Sequence, residues 1–352
     1  MKEKQSFWKS LFSRTEIFTL AALILLLLFN LFFTKGFFNI QIRDGHLYGS
    51  LIDIVKRGTP LMIIVMGLTM VIATGGTDIS VGSIAAITGV VVATLIGGGN
   101  RAFVPGADTV ANMPMALAII IGLCVAIFLG TWNGFMVAKI GVPPLIATLV
   151  LQVAGRGIAE LIASGKILTL YYKPFYFIGS GWLIGLPFSI FIVIIIGILM
   201  WLFVRKTSYG LFLVATGSNK IASRFAGIKT TVIVWSAFVF SALMAGIAGI
   251  ITTSEIQAAD PVNLGLYLEL DAILACNLGG NSMKGGHCNL MGSIIGAILV
   301  QTLTTTIYSK GVPSETILVY KAIVVISVGL IQVANWSGIM KKLKGRSNRE
   351  IA

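Results

Sequence analysis

Charged residues are scarce in this sequence. They make up 11% of 352 residues, against about a quarter in an average soluble domain. So few charges leave the surface of a water-soluble globule of this size unsolvated, which argues against a soluble fold. Histidine is scarcer still. His46 and His287 lie far apart, with no carboxylate or cysteine array around either, and this argues against a metal centre. The three cysteines, Cys124, Cys276 and Cys288, sit in or beside apolar runs without ligand spacing and read as small hydrophobes. The chain has no Gly-rich phosphate loop ending in Gly-Lys-Ser/Thr, so it does not hydrolyse nucleotide by that route. Nucleophile elbows and paired-histidine zinc helices are missing too. Nothing here supports an enzyme, and no cofactor is expected in this chain.

What is abundant is apolar surface. Hydrophobic residues make up 56% of the chain, and apolar runs of about twenty residues, the length that spans a bilayer, recur along it. They fall near 17–34, 59–75, 80–97, 114–138, 143–163, 183–204, 232–251, 264–280, 290–308 and 316–339. The expected fold is all-α, a polytopic membrane protein of about ten transmembrane helices, some of them broken or re-entrant. A basic stretch precedes Ile17–Phe33, but that run exceeds a signal-peptide core and no small-residue cleavage site follows, so it reads as a retained first span. The parts are then a basic N-terminus at 1–16, a transmembrane domain at 17–339 and a basic tail at 340–352.

The net charge of +13 does not signal nucleic acid, because the cations cluster at Lys2–Arg14, Arg205–Lys229 and Lys341–Arg349, between and beyond apolar runs. That is the positive-inside pattern, and it predicts both termini on the cytoplasmic side of the membrane. Loop 205–231, with Arg205, Lys206, Lys220, Arg224 and Lys229, falls inside; loop 252–263, with Glu255 and Asp260 but no Lys or Arg, falls outside. Stretch 35–58 dissents. It is expected outside yet carries Lys35, Arg43, Lys56 and Arg57, a load that an interfacial amphipathic helix would tolerate.

The 40 glycines concentrate inside apolar runs, where small residues let helices approach closely in lipid. Gly75-Gly76-Thr77-Asp78 and Gly279-Gly280-Asn281-Ser282 read as helix breaks, tolerated only where backbone is buried in protein or lines a watery path. Polar residues inside apolar segments are candidates for function because they are costly in lipid. Arg156 and Glu160, four apart on one helical face, read first as a structural ion pair holding the bundle and second as a direct substrate contact. Asp78 and Asp271, at segment ends, read as helix anchors before cation ligands. Asn133, beside Trp132, and Gln152 and Gln301 are able to bond either a hydroxylated substrate or a neighbouring helix. With Glu160 the one carboxylate deep in a segment, and a cation beside it, proton or sodium coupling lacks its usual acids. The power source therefore lies elsewhere. The run Gly217–Ile228 reads as a short helix between glycines, of a kind that docks in a partner's groove or merely connects two spans.

At these residues the chain resembles the ribose/galactofuranose-type sugar permeases of bacterial ABC importers. The resemblance rests on Thr74–Ser83, Val153–Gly157, Gly217–Ile228, and Glu269–Ile273 continuing to Gly279-Gly280 and Gly285-Gly286, in the expected order over nearly the whole chain. Asp44–Ser50 and the neighbourhood of Arg156 resemble the galactofuranose-type branch. Thr77 and Ser223 depart from the commoner aliphatic residue and alanine. The resemblance implies a second permease chain, identical or homologous, a cytoplasmic ABC ATPase and an external sugar-binding protein. It also implies that Gly217, Asn219, Ala222, Arg224, Gly227 and Ile228 belong to a coupling loop receiving the ATPase stroke. Nucleoside or branched-chain amino acid permeases, and a self-powered secondary carrier, are the competing readings.

Overall fold

The computed structural model describes residues 14–97, 111–313, 316–323 and 326. The N-terminus to residue 13, most of the segment expected at 316–339 and the basic tail at 340–352 lie outside the described residues.

The chain opens with α1 (Arg14–Phe33), a hairpin of β1 (Gln41–Arg43) and β2 (His46–Tyr48), and α2 (Ser50–Ala73). An extended stretch leads into α3 (Val81–Ile96). Next come α4 (Met115–Phe135), which runs on as a π-helical turn through Met136–Ile140, and α5 (Pro144–Ile162). Strand β3 (Leu168–Thr169), helix α6 (Lys173–Ser180) and a hairpin of β4 (Trp182–Leu183) and β5 (Leu186–Pro187) form a cap. The second half contains α7 (Phe188–Lys206), α8 (Ser208–Ser218), α9 (Lys220–Phe225), α10 (Thr230–Ile256), β6 (Ala258–Ala259), α11 (Leu268–Leu278) and α12 (Leu290–Ser309).

The fold is mostly helical, and its strands are three two-residue or three-residue antiparallel pairs confined to the loops among the described residues. Six of the described helices are long and apolar enough to cross a membrane: α2, α4 with its π-helical end, α5, α7, α10 and α12. The interior is a packed slab around α2 and α10, and every residue of α2 from Gly58 to Ala73 is buried. Glycines set the spacing. Gly67 lies against Ser241 and Met244, Gly246 against Ala126, and Gly249 against the backbone of Ala85, so a β-carbon at any of these would push neighbouring helices apart. Pro60 stands inside α2, where it frees the carbonyl of Lys56; the Thr59 hydroxyl takes up that carbonyl at 2.7 Å, so the helix continues.

Helices α3 and α11 are too short for a bilayer. At about 1.5 Å per residue they reach ~24 and ~17 Å, against a hydrocarbon thickness of ~30 Å. Each follows a long helix and a non-helical stretch, 74–80 before α3 and 257–267, a short strand and a run of turns, before α11. Their first turns meet, with Gly82 of α3 against Gly265 and the Glu269 carboxylate of α11. The meeting point lies deep in the slab, because Ser241, midway along α10, donates to Asp78 at 2.8 Å. From there the two helices run apart to opposite ends of the molecule.

Two groups of loops mark those ends. At one, the Gly286 amide donates to the Ala73 carbonyl at 2.9 Å, and Gly217 presses on the same carbonyl. At the other, the Leu47 amide donates to the Gly185 carbonyl at 2.9 Å, His46 stacks on Trp182, and β3 pairs with β6.

Stretch 35–58 differs from the interfacial helix expected of it. Residues 41–48 form a β-hairpin and 50–58 are the opening turns of α2, where Lys56 lies 3.9 Å from Glu255 of α10. The turn at Gly279–Ser282 also differs from a mid-membrane break. It is a tight corner between α11 and α12, and the second interruption is the stretch 257–267, which straddles the outer loop expected at 252–263 and the start of the segment expected at 264–280.

Candidate functional site

A seam of polar side chains crosses the point where the two short helices meet. At one side of it, Asp78 is 1% exposed and accepts the Ser80 amide at 3.0 Å, the Ser80 hydroxyl at 2.6 Å and the Ser241 hydroxyl at 2.8 Å. These bonds close an Asx-type turn that aims the chain into α3. Asn133 of α4 donates to the same Ser80 hydroxyl at 2.8 Å, and its carbonyl oxygen has no hydrogen-bond partner. The Ile79 amide donates to Thr148 of α5 at 3.2 Å. Side chains thus satisfy backbone groups of the extended stretch, the condition under which irregular chain is stable at membrane depth. Asp78 anchors a helix entrance.

On the other side of α3, Gln152 of α5 bridges two elements. It accepts the Ser83 amide at 3.0 Å and donates to Glu269 Oε1 at 3.2 Å. Arg156, one turn along α5, donates through Nη1 to the carbonyls of Leu264 and Val262, so it satisfies backbone of the second non-helical stretch as Thr148 and Asp78 satisfy that of the first. The Arg156–Glu160 pair expected from their spacing is therefore not formed: Glu160 is exposed and Arg156 turns inward to the stretch 262–264. The second buried carboxylate of this seam, after Asp78, is Glu269, 6% exposed, and sequence reasoning missed it as a candidate. It lies near the start of the run 264–280, where a carboxylate reads as the boundary of a span.

The remaining candidates are structural in position. Asp271 pairs with Lys321 at 2.7 Å, tying α11 to the last described helical stretch, 316–323. Gln301 of α12 bonds weakly to Thr305 at 3.5 Å and lies against Gly58 of α2. Neither reaches the seam.

At the molecule's Gly217–Gly286 end, the short helix α9 projects as a knob. The Asn219 side chain accepts the Ala222 amide at 2.9 Å and so caps α9 at its start. Gly227 ends it with φ +83°, a left-handed turn that suits glycine, and no neighbour crowds its α-carbon. The Ile228 amide folds back to the Ser223 carbonyl at 3.0 Å, and Arg224 donates to Thr230 at 3.3 Å. Gly217 has no room for a side chain against Ala73 and Gly286, so the root of the knob is seated directly beneath the stretch 74–80. Its tip is the reverse: Phe225 is 90% exposed and Ile221 71%. At the root, burial pushes the Tyr209 phenol up to about 12, only partly opposed by its bond to Ser236, so it stays protonated.

Residues 50–329, which include the seam and the knob, match the family model described as branched-chain amino acid transport system / permease component. The chain belongs to that permease family. The permease is 41% identical to the galactofuranose transporter permease protein YtfT of Escherichia coli over 93% of this chain and 92% of that one. It is 34% identical to the fructose import permease protein FruF of Bifidobacterium longum, over 97% and 94%, and 34% identical to the ribose import permease protein RbsC of Bacillus subtilis, over 80% and 84%. No solved structure matches it. It is a multi-pass membrane permease component of an ABC transporter, a transport subunit and not an enzyme.

Proposed function

We propose that this permease carries a simple sugar, a pentose or a hexose, across the bacterial inner membrane within an ATP-driven importer. The observation that carries the reading is the near full-length similarity to permeases named for galactofuranose, fructose and ribose. The seam agrees with it. It offers amides, hydroxyls and the Arg156 cation beside the Glu269 carboxylate, groups that suit hydroxylated cargo, and its other carboxylate, Asp78, is taken up by Ser80 and Ser241. The family description favours branched-chain amino acids as a second reading, since separated positive and negative groups also suit a zwitterion.

In this reading the chain crosses the membrane about ten times. Helices α1 and α3, α11 with its non-helical partner stretch, and the segment at 316–339 complete the six long helices. The α9 end faces the cytoplasm, with both termini, and the β-hairpin end faces outward. A second permease chain, a cytoplasmic ABC ATPase and an external sugar-binding protein complete the assembly. Knob α9, with Gly217, Asn219, Ala222, Arg224, Gly227 and Ile228 shaping it, receives the ATPase movement. Because its root supports the stretch leading into α3, displacement at α9 travels directly to the seam, and access alternates by rigid-body shift.

Affinity purification of the tagged chain in mild detergent, with identification of every co-purified protein, tests the assembly. An ATPase and a second permease are expected. Ligand binding by the associated binding protein then decides the cargo: a sugar supports the reading, and a branched-chain amino acid or nucleoside overturns it.

A further inference from the structure

Besides Asn133 Oδ1, the seam holds three buried polar atoms without a hydrogen-bond partner, on its α5–α11 side: Nε and Nη2 of Arg156 and Oε2 of Glu269. They converge on one spot. A β-carbon at Gly82 would lie 3.3 Å from Arg156 Nη2 and collide with Glu269 Oε2, so both groups crowd the bare α-carbon at the start of α3. Yet the guanidinium and carboxylate form no ion pair with each other. Each is instead held from its far side, Glu269 Oε1 by Gln152 and Arg156 Nη1 by the Leu264 and Val262 carbonyls. Those outer contacts fix both side chains and leave one donor edge and one acceptor oxygen free at mid-depth. The two charges attract each other through space, but their hydrogen bonding is incomplete; buried polar groups left so are costly and persist where a ligand or a second state completes them.

The surroundings indicate which. Val153, Gly157, Val262, Leu266 and Leu270 expose an apolar surface beside this spot, and Arg156 itself is only partly covered. A side chain of that polarity facing hydrocarbon at mid-depth is disfavoured, so this face borders protein or water rather than lipid.

Building on the sugar-carrying reading above, we infer that Arg156 and Glu269 form a cargo-contact station: Arg156 Nε and Nη2 donate to sugar hydroxyl oxygens, and Glu269 Oε2 accepts from a sugar hydroxyl. Gln152 is the positioning residue that holds the carboxylate in place. One donor edge and one acceptor oxygen read the relative placement of neighbouring hydroxyls while holding the cargo weakly enough to release it. Discrimination among sugars then resides partly in the permease and not only in the binding protein.

The test uses the complete assembly in proteoliposomes, with labelled D-ribose, D-fructose, D-galactofuranose and L-leucine as probes. ATP hydrolysis stimulated by loaded binding protein is read in parallel. In Glu269→Gln and Arg156→Gln, uptake of the best wild-type sugar is expected to fall at least about tenfold, with a changed ranking of sugars, while stimulated hydrolysis stays within about twofold. Glu269→Asp, which keeps the charge and shortens its reach, should shift the ranking even if the amide variants assemble poorly. Three results overturn the station. The first is uptake and hydrolysis falling in step in all variants, which marks a structural role. The second is unchanged uptake and ranking. The third is full uptake restored by the swap Arg156→Glu with Glu269→Arg, which marks mutual pairing in another state. A wild-type assembly that carries leucine and no sugar removes the sugar reading along with the station; a sugar-carrying assembly indifferent to these variants removes the station alone.

Discussion

At the scale of single residues, the interior of this permease is specified by small side chains and by amides. Asn281, at the corner between α11 and α12, donates to the carbonyls of Cys276 and Asn289 and to the Ser293 hydroxyl, and accepts the Asn289 amide at 2.8 Å. Replacing it leaves several buried groups without partners, each costing roughly 1–3 kcal/mol. Asn281→Ala is therefore expected to lower stability by about 3 kcal/mol, read by unfolding of the purified protein in detergent; a loss below about 0.5 kcal/mol would contradict the staple. Residue-level reasoning from sequence singled out Asp78, Gln152 and Arg156, and the structure brings all three to the seam, Asp78 as a helix anchor and Gln152 bonded to a neighbouring helix. It misjudged the partner of Arg156. Arg156 and Glu160 share a helical face, but the competing acceptors, the Leu264 and Val262 carbonyls, are more than a hundred residues away and leave no local signature. Glu269 escaped for the same reason, since a carboxylate at the start of an apolar run looks like a boundary until the preceding stretch is seen to pack against α3 and α5.

At the scale of elements, hydropathy marks apolar stretches well and cannot tell a full span from a half one. The run 80–97 and the helix α3 coincide closely, yet the sequence pattern alone does not show that α3 starts deep in the slab. Gly75-Gly76 did signal the first interruption, because Gly75 has φ +81° and ends α2. The second, at 257–267, carries ordinary loop residues, and only its contacts with α3 and α5 reveal its depth. The knob was the most legible element: the spacing between Gly217 and Gly227 predicted a short helix, and α9 is one. Its exposed Phe225 and Ile221 make a testable claim. A buried aromatic anchor contributes about 2 kcal/mol or more to a docking interface. Phe225→Glu should thus weaken co-purification of the ATPase at least about tenfold while the permease still inserts and stays folded; retention of wild-type ATPase binding would remove α9 from the interface.

At the scale of the whole molecule, the two short helices tie the ends together. The α9 end supports the stretch entering α3, α3 meets α11 in the middle, and α11 leads back to the corner at Asn281 beside the same end. A push at α9 therefore has a short route, through packed backbone, to the polar seam. Nothing in the seam resembles a store of energy of its own. The permease with its partner permease, reconstituted in vesicles without the ATPase and placed under proton and sodium gradients, is the most direct measurement of this claim. No uphill movement of sugar is expected until the ATPase, ATP and loaded binding protein are added, and accumulation driven by either gradient alone would contradict the account.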